Sequence, residues 1–286
     1  MDVNLSLVKK DTVDIVSEKV RGFQESGELH LPANYSAENA MKSAWLLLQG
    51  LETRDKKPVL QECSKDSIAN SLLDMVVQGL NPAKKQCYFI AYGKQLSCQR
   101  SYFGTMEVAK TVAGAKDVYA QVIYADDEFE YELHKGRKRI LKHNQKLANV
   151  SSDKIVAAYC TIEFEDPEKN ITEIMTMDQI RSSWAKSKNG GAVQKEFPEE
   201  MAKRTVINRA CKAVINSSND SALLMDTIIR AEKDSSEVAV TAEIAENANI
   251  ETIDIEVREA IPEPAPVRQE VPPANKEPEK LFDPGF

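Results

Sequence analysis

The 286-residue chain has no long apolar run: aliphatic-aromatic stretches such as Ala44–Leu48 fall far short of the roughly 20 residues that cross a bilayer. Met1–Asp11 mixes charge with short apolar pieces and has no sustained apolar segment of a secretory signal, so a cytoplasmic protein without membrane contact is expected. Cysteine is sparse. Cys63, Cys87, Cys98, Cys160 and Cys211 include no C-x-x-C pair, and His30, His134 and His143 are not spaced to complete a zinc site. A disulfide framework or structural metal is therefore not expected, and Cys87 and Cys98 read as small core residues. No G-x-x-x-x-G-K-[ST] occurs, which argues against P-loop nucleotide hydrolysis; no cofactor is expected.

Net charge is −8, but it is unevenly placed. Residues 235–286 hold 12 of the 45 acidic and 4 of the 37 basic residues, leaving 33 of each sign in residues 1–234. The same tail carries seven of the twelve prolines, a composition that buries too little apolar surface to offset ordering entropy. Two regions are expected: a folded region over 1–234 and an acidic, Pro-rich, disordered tail over 235–286. Within the tail, Ile250–Val257 and Leu281–Phe286 are either short partner-binding elements or chance hydrophobes in a solubilising segment.

The folded region reads as α+β. Val13, Val16 and Val20 share a helical face. Ser36 caps a helix through Met41, Trp45 and Leu48 that ends near Gly50. Another begins near Ser64 or Ser67, carries Ile68, Leu72, Met75 and Val76, and stops at Gly79 before Pro82. Trp45 reads as core. Gln86–Ala91 and Gln95–Arg100 are strand-like, with Gly93-Lys94 suited to a two-residue, glycine-first turn. A helix over Ser101–Ala113 ends at Gly114. Strands follow near Val118–Tyr124, Glu128–Leu133, Ile155–Phe164 and Ile171–Met177, and helices near Asp178–Lys186 and Glu199–Ile215.

Between Met75 and Met106 there is no Asp or Glu, although 45 acids in 286 residues would place about five in a window of that length. The window carries Lys84, Lys85, Lys94 and Arg100 among Tyr88, Phe89, Tyr92, Tyr102 and Phe103. Basic and aromatic side chains without acids suit a phosphodiester strand with exposed bases; a buried hairpin would also exclude acids, and composition leaves both readings open. With Gly93-Lys94 as the turn, Tyr92 faces Gln95, Ile90 faces Ser97 and Tyr88 faces Gln99. Cys87, Phe89, Ala91, Leu96 and Cys98 then form a core face, and Tyr88, Ile90, Tyr92, Gln95, Ser97 and Gln99 a polar-aromatic one. That second face, leading through Arg100 to Tyr102 at a helix start, is the candidate nucleic-acid surface.

Two further basic stretches flank it in sequence. His134–His143 holds five Lys or Arg in a loop-like context, which reads as solvated surface or as part of a groove. On the last helix, Arg204, Thr205, Asn208, Arg209 and Lys212 share a face opposite Val206, Ala210 and Ala213, so four phosphate donors, Arg204, Asn208, Arg209 and Lys212, project together. Lys186 and Lys188, before Gly190-Gly191, read as a mobile flap. Asp126, Asp127, Glu163 and Glu165 would be the carboxylates of a metal-dependent nuclease, but the first pair reads as a turn and the second as exposed strand residues. A scaffold acting through the acidic tail is the other alternative.

Four motifs carry a resemblance: Gly79-Leu80-Asn81-Pro82, Gln86 through Gly93, Gln99-Arg100-Ser101-Tyr102-Phe103-Gly104, and Ala202–Val206 with Asn208-Arg209. In this order, over roughly residues 35–216, they resemble the RecT family of phage recombinases, itself distantly comparable to the Red-beta annealing proteins. Ala91 departs from the pattern, since members often carry proline there. The resemblance implies a non-catalytic protein that binds single-stranded DNA and anneals complementary strands without ATP in phage-type homologous recombination, holding an annealed duplex intermediate. It implies self-association into rings or helices, cooperation with an exonuclease and contact with the host single-strand-binding protein. It carries DNA contact onto Gln99, Arg100, Tyr102, Lys203, Arg204, Asn208 and Arg209, to which the reading of the residues adds Tyr88, Tyr92, Lys94 and Lys212.

Overall fold

The computed structural model describes residues 5–185 and 192–218, with Leu224, Thr227 and Ile228. The Lys186/Lys188 flap and the whole of the 235–286 tail lie outside the described residues.

Helix α1 (Leu5–Glu25) buries Val16 and Val20, as their spacing predicts. Helix α2 (Ala37–Gly50) starts where the Ser36 hydroxyl accepts a hydrogen bond from the Asn39 N–H, and it buries Trp45 and Leu48. A one-turn helix that the sequence reading does not anticipate, α3 (Val59–Glu62), precedes α4 (Lys65–Val77). Ser64 caps α4, whose Ile68, Leu72, Met75 and Val76 are fully buried. Gly79, at φ 67°, turns the chain out of that helix in the left-handed region that glycine tolerates.

Strands β1 (Cys87–Tyr92) and β2 (Gln95–Arg100) pair antiparallel in the register read from the turn: Tyr92 opposite Gln95, Ile90 opposite Ser97, Tyr88 opposite Gln99. Gly93 takes φ 59°, as a glycine-first turn requires. The hairpin is bound to α4: Ser71 Oγ donates to the Leu96 carbonyl at 2.7 Å, and the Leu96 N–H donates to Ser67 Oγ at 3.1 Å. Ser101 then caps α5 (Tyr102–Ala113), which ends at Gly114.

A three-stranded antiparallel sheet follows, in the order β3 (Asp117–Tyr124), β6 (Ile155–Glu163), β7 (Ile171–Thr176); β4 (Glu128–His134) and β5 (Arg137–Asn144) form a separate hairpin between β3 and β6 in sequence. A capping box of Thr176 and Gln179 starts α6 (Met177–Trp184), and α7 (Ala192–Glu196) leads to α8 (Pro198–Asn216). Helix α8 lies against α5 and against β3, β6 and β7. Cover on two sides widens its apolar arc to include Met201, Ala202, Val206, Ile207, Ala210, Cys211, Val214 and Ile215. Ala213, assigned to that stripe by the sequence reading, is exposed instead. Among the described residues no helix is long and apolar enough to cross a membrane.

Strand β5 is a correction: the sequence reading leaves the basic stretch 134–143 as a loop. Lys135 and Gly136 both take positive φ (51° and 78°), the geometry of a tight hairpin turn. Charge on both sides of β5 does the rest. Glu130 sits opposite Lys142 and Glu132 opposite Arg139, while Lys142 Nζ reaches Glu128 at 2.5 Å. Lys and Arg have low intrinsic strand preference, and ion pairs override it here: Lys142 with Glu128 across the hairpin, Arg139 with Glu168 and Lys138 with Glu173 outside it.

Candidate nucleic-acid interface

The eleven residues singled out for DNA contact fall into three groups in the fold. Tyr92, Lys94, Arg209 and Lys212 are exposed; Tyr88, Arg100, Lys203, Arg204 and Asn208 are half-buried; Gln99 and Tyr102 are buried. The last two correct the expectation of an open polar-aromatic face. Gln99 is only 2% exposed because it lies under Tyr92, to whose hydroxyl its Nε2 donates at 2.7 Å. Tyr102 packs at the start of α5 with its ring 4.2 Å from that of Phe103, centroid to centroid. The core face is as expected, with Cys87, Phe89, Leu96 and Cys98 buried.

Most of the motif residues at the base of this hairpin hold its junction with α5. Gln86 Oε1 accepts the Asn81 N–H at 2.8 Å, the Gln86 carbonyl accepts the Ser101 N–H at 3.1 Å, and Ser101 Oγ donates to the Lys85 carbonyl at 2.7 Å. Gly104 is needed here for space: a Cβ would collide with the Gln86 carbonyl oxygen and stand 2.8 Å from Arg100 Cγ. Arg100 is held in turn, donating from Nε to Thr105 Oγ1 at 3.2 Å and from Nη1 to Gln78 Oε1 at 2.9 Å. Neither Gly104's spatial need nor Gln86's role is legible from side-chain chemistry alone; the adjacent motifs were the only signal.

Burial pushes the Cys211 thiol up to about 12, and the nearby Arg100 charge acts in the opposite direction. On α8, Lys203 is engaged by Glu199 at 3.0 Å and Glu200 at 3.4 Å on its own helix. Arg209 Nε pairs with Glu173 Oε1 at 3.1 Å, and Lys138 of β5 approaches the same carboxylate at 3.8 Å. Thr205 does not face outward as a donor: its hydroxyl accepts from Trp184 Nε1 at 2.8 Å and donates to the Met201 carbonyl at 2.7 Å, tying α6 to α8.

Of the carboxylates considered for metal chemistry, Asp126 and Asp127 lie in a turn after β3, as read, but Asp127 does not point into solvent. Its side chain is fully buried. Burial would raise its pKa, but hydrogen bonds from the Tyr124 N–H and from Asn149, His143 and Gln145 outweigh that and hold it below the usual carboxylate range. Glu163 is half-buried and pairs with Lys116 at 3.6 Å, while Glu165 is exposed. Among the described residues no group of three or more His, Cys, Asp or Glu is placed to hold a metal ion, and all five cysteines are buried and unbridged.

No curated protein matches the chain. The sequence model of the RecT family matches residues 38–240, which is 203 of 286 residues and takes in both the β1–β2 hairpin and α8. The chain thus belongs to the RecT family of phage-type recombination proteins, which bind single-stranded DNA, anneal complementary strands and self-associate.

Proposed function

We propose that this chain binds single-stranded DNA and anneals complementary strands without nucleotide hydrolysis, gripping the strand through the tip of the β1–β2 hairpin and the outer face of α8. Tyr92 supplies a stacking ring and Lys94, Arg209 and Lys212 supply phosphate contacts, flanked by Tyr88, Lys203, Arg204 and Asn208. Gln99, Arg100 and Tyr102 act as positioning residues: Gln99 fixes Tyr92, while Arg100 and Tyr102 fix the junction that aims the hairpin. The observation that supports this best is the acid-free segment Met75–Met106, which folds into a hairpin whose exposed tip is Tyr92-Gly93-Lys94-Gln95. A buried hairpin would also exclude acids; an exposed tip that still lacks them favours a polyanion.

Annealing releases about 1.4 kcal/mol per stacked base step, so it needs no chemical fuel. The barriers are phosphate repulsion and slow search. Cations lower the first, and a grip on the backbone leaves base edges free to test a second strand. We assign contacts with an exonuclease and with the host single-strand-binding protein to residues 235–286, a second, partner-binding region beyond the folded 1–234.

The test mixes two complementary oligonucleotides with the protein, without nucleotide, and follows duplex formation at several salt concentrations. Faster annealing that weakens as salt rises is the expected result. Shortened products in Mg²⁺ would point to a nuclease, and strands left unbound would point to a scaffold.

A further inference from the structure

Strand alternation gives the sheet β3–β6–β7 one side with Val118, Val122, Ala158 and Cys160, buried toward α8. The other side carries Tyr119 and Tyr159, diagonal neighbours because Tyr119 pairs with Thr161. The β4–β5 hairpin lengthens this line of rings. Phe129 stacks on Tyr159 at 5.8 Å and stands 6.0 Å from Tyr131, centroid to centroid, with His143 edge-on to Phe129 and Tyr159. The inner rings are enclosed: Tyr159 is buried and Phe129 half-buried. The outer two are open, Tyr119 at 45% exposure and Tyr131 at 51%. Carboxylates are turned away from these rings or paired. Glu128, Glu130 and Glu132 alternate with Phe129, Tyr131 and Leu133 and so point to the other side, together with Lys142, the partner of Glu128. Asp117 and Glu163, on the ring side of the sheet, are paired with Lys110 and Lys116.

Lys138 stands on the ring side, across from Leu133. Its Nζ donates to the Ile174 carbonyl at 3.2 Å and lies 3.8 Å from the Glu173 carboxylate, which also pairs with Arg209 of α8 at 3.1 Å. The line of rings thus meets the cationic face of α8 at one shared carboxylate. At the hairpin tip Lys135, Arg137 and Arg139 converge on the single acid Glu168, which leaves cations in excess. We propose that Tyr119 and Tyr131 form a second stacking platform, taking unpaired bases of single-stranded DNA where the strand runs on from α8 past Lys138; this rests on the DNA-binding reading above. An open ring stacks on any base, so the platform is indifferent to sequence. Phe129 and Tyr159 hold the spacing of the outer rings before DNA arrives, which lowers the ordering cost of binding. Excess cations at Lys138 and the tip hold the phosphates. A strand that continues from α8 onto the platform keeps a longer stretch of bases unpaired for its complement to test.

The test compares the full chain with Y119A/Y131A and Y119F/Y131F. Circular dichroism and the unfolding temperature are expected to match the parent protein, because both rings lie at the surface. Affinity is measured for a short oligothymidine and for one several times longer. Y119A/Y131A is expected to bind the long strand about tenfold or more weakly, the scale of a lost stacked base. It should bind the short strand, held by Lys94 and Arg209, as the parent does, and Y119F/Y131F should keep the parent affinity for both. A long strand carrying iodouracil is expected to cross-link on illumination to peptides containing Tyr119 or Tyr131. Parent-like affinity of Y119A/Y131A for the long strand, or cross-links confined to the β1–β2 tip and α8, overturns the platform and leaves the DNA function standing. An equal loss in Y119F/Y131F removes stacking as its basis. Weakened self-association with unchanged DNA affinity gives the surface to a protein contact and overturns the platform as well. A parent protein that retains neither strand removes the DNA function and the platform together.

Discussion

The molecule holds two β-hairpins of similar size with opposite chemistry. β1–β2 has no acid in either strand, buries one face in the main core and is anchored to α4 by Ser67 and Ser71. β4–β5 divides its charges, acids on β4 and bases on β5, and leaves nearly all of β4 exposed. The first is built into the fold and offers only its tip to solvent. The second is joined to the rest at its base, where Asp127, His143 and Tyr159 meet and the Phe129 ring stacks on Tyr159 at 5.8 Å, and along β5, whose Lys138 and Arg139 engage Glu173 and Glu168. Equal local architecture thus carries different surfaces: the first hairpin presents an acid-free tip, the second an acidic strand beside a basic one.

The largest contrast is in stability. Phe89→Ala empties a core position and is expected to cost about 3–5 kcal/mol, whereas Tyr131→Ala on the exposed hairpin should stay within about 0.5 kcal/mol; urea unfolding measures both, and similar losses would erase the distinction. Gly104→Ala should follow at about 1–3 kcal/mol, since its methyl group must push the Gln86 carbonyl aside. At about 2–4 °C per kcal/mol for a domain of this size, the loss is read in a thermal scan. Tyr92→Ala takes from Gln99 its cover and the hydroxyl to which it donates, so it should cost about 1–3 kcal/mol of stability and weaken oligonucleotide binding by about 1–3 kcal/mol, the scale of one stacked base. Tyr92→Phe keeps the ring and should retain most of that affinity.

The smallest effect is pH-dependent. Asp127 has a folded pKa below its ordinary value, so its contribution is present above the unfolded pKa of about 3.9 and is lost as pH falls through the folded value. The stability gap between the parent protein and Asp127→Asn should be full at neutral pH and shrink below about pH 4. A gap that widens on acidification would show that the hydrogen bonds at the hairpin base do not favour the carboxylate.

How much of this was legible in the sequence follows from which signals are local. The β1–β2 register was, because Gly93 fixes the turn and strand alternation then fixes every facing pair. Ser36, Ser64 and Ser101 announced three helix starts. Burial of Gln99 was not legible, because strand alternation gives the face of a residue but not what lies over it, and here Tyr92 does. Strand β5 was missed because cations outweigh β-formers along Arg137–His143, and the carboxylates that engage Lys138 and Arg139, Glu173 and Glu168, come from a distant segment. The face of α8 was legible as a set of polar positions. Its neighbours were not: Glu173 and Trp184 come from distant segments and engage Arg209 and Thr205.

The most direct measurement is the salt dependence of single-stranded oligonucleotide affinity for Lys94→Ala, Arg209→Ala and, as the contrasting hairpin's control, Lys142→Ala. Each lost phosphate contact should reduce the slope of log K against log salt by about 0.7. The account predicts that reduction for Lys94→Ala and Arg209→Ala and an unchanged slope for Lys142→Ala. Unchanged slopes in the first two, or a reduction confined to Lys142→Ala, would contradict it.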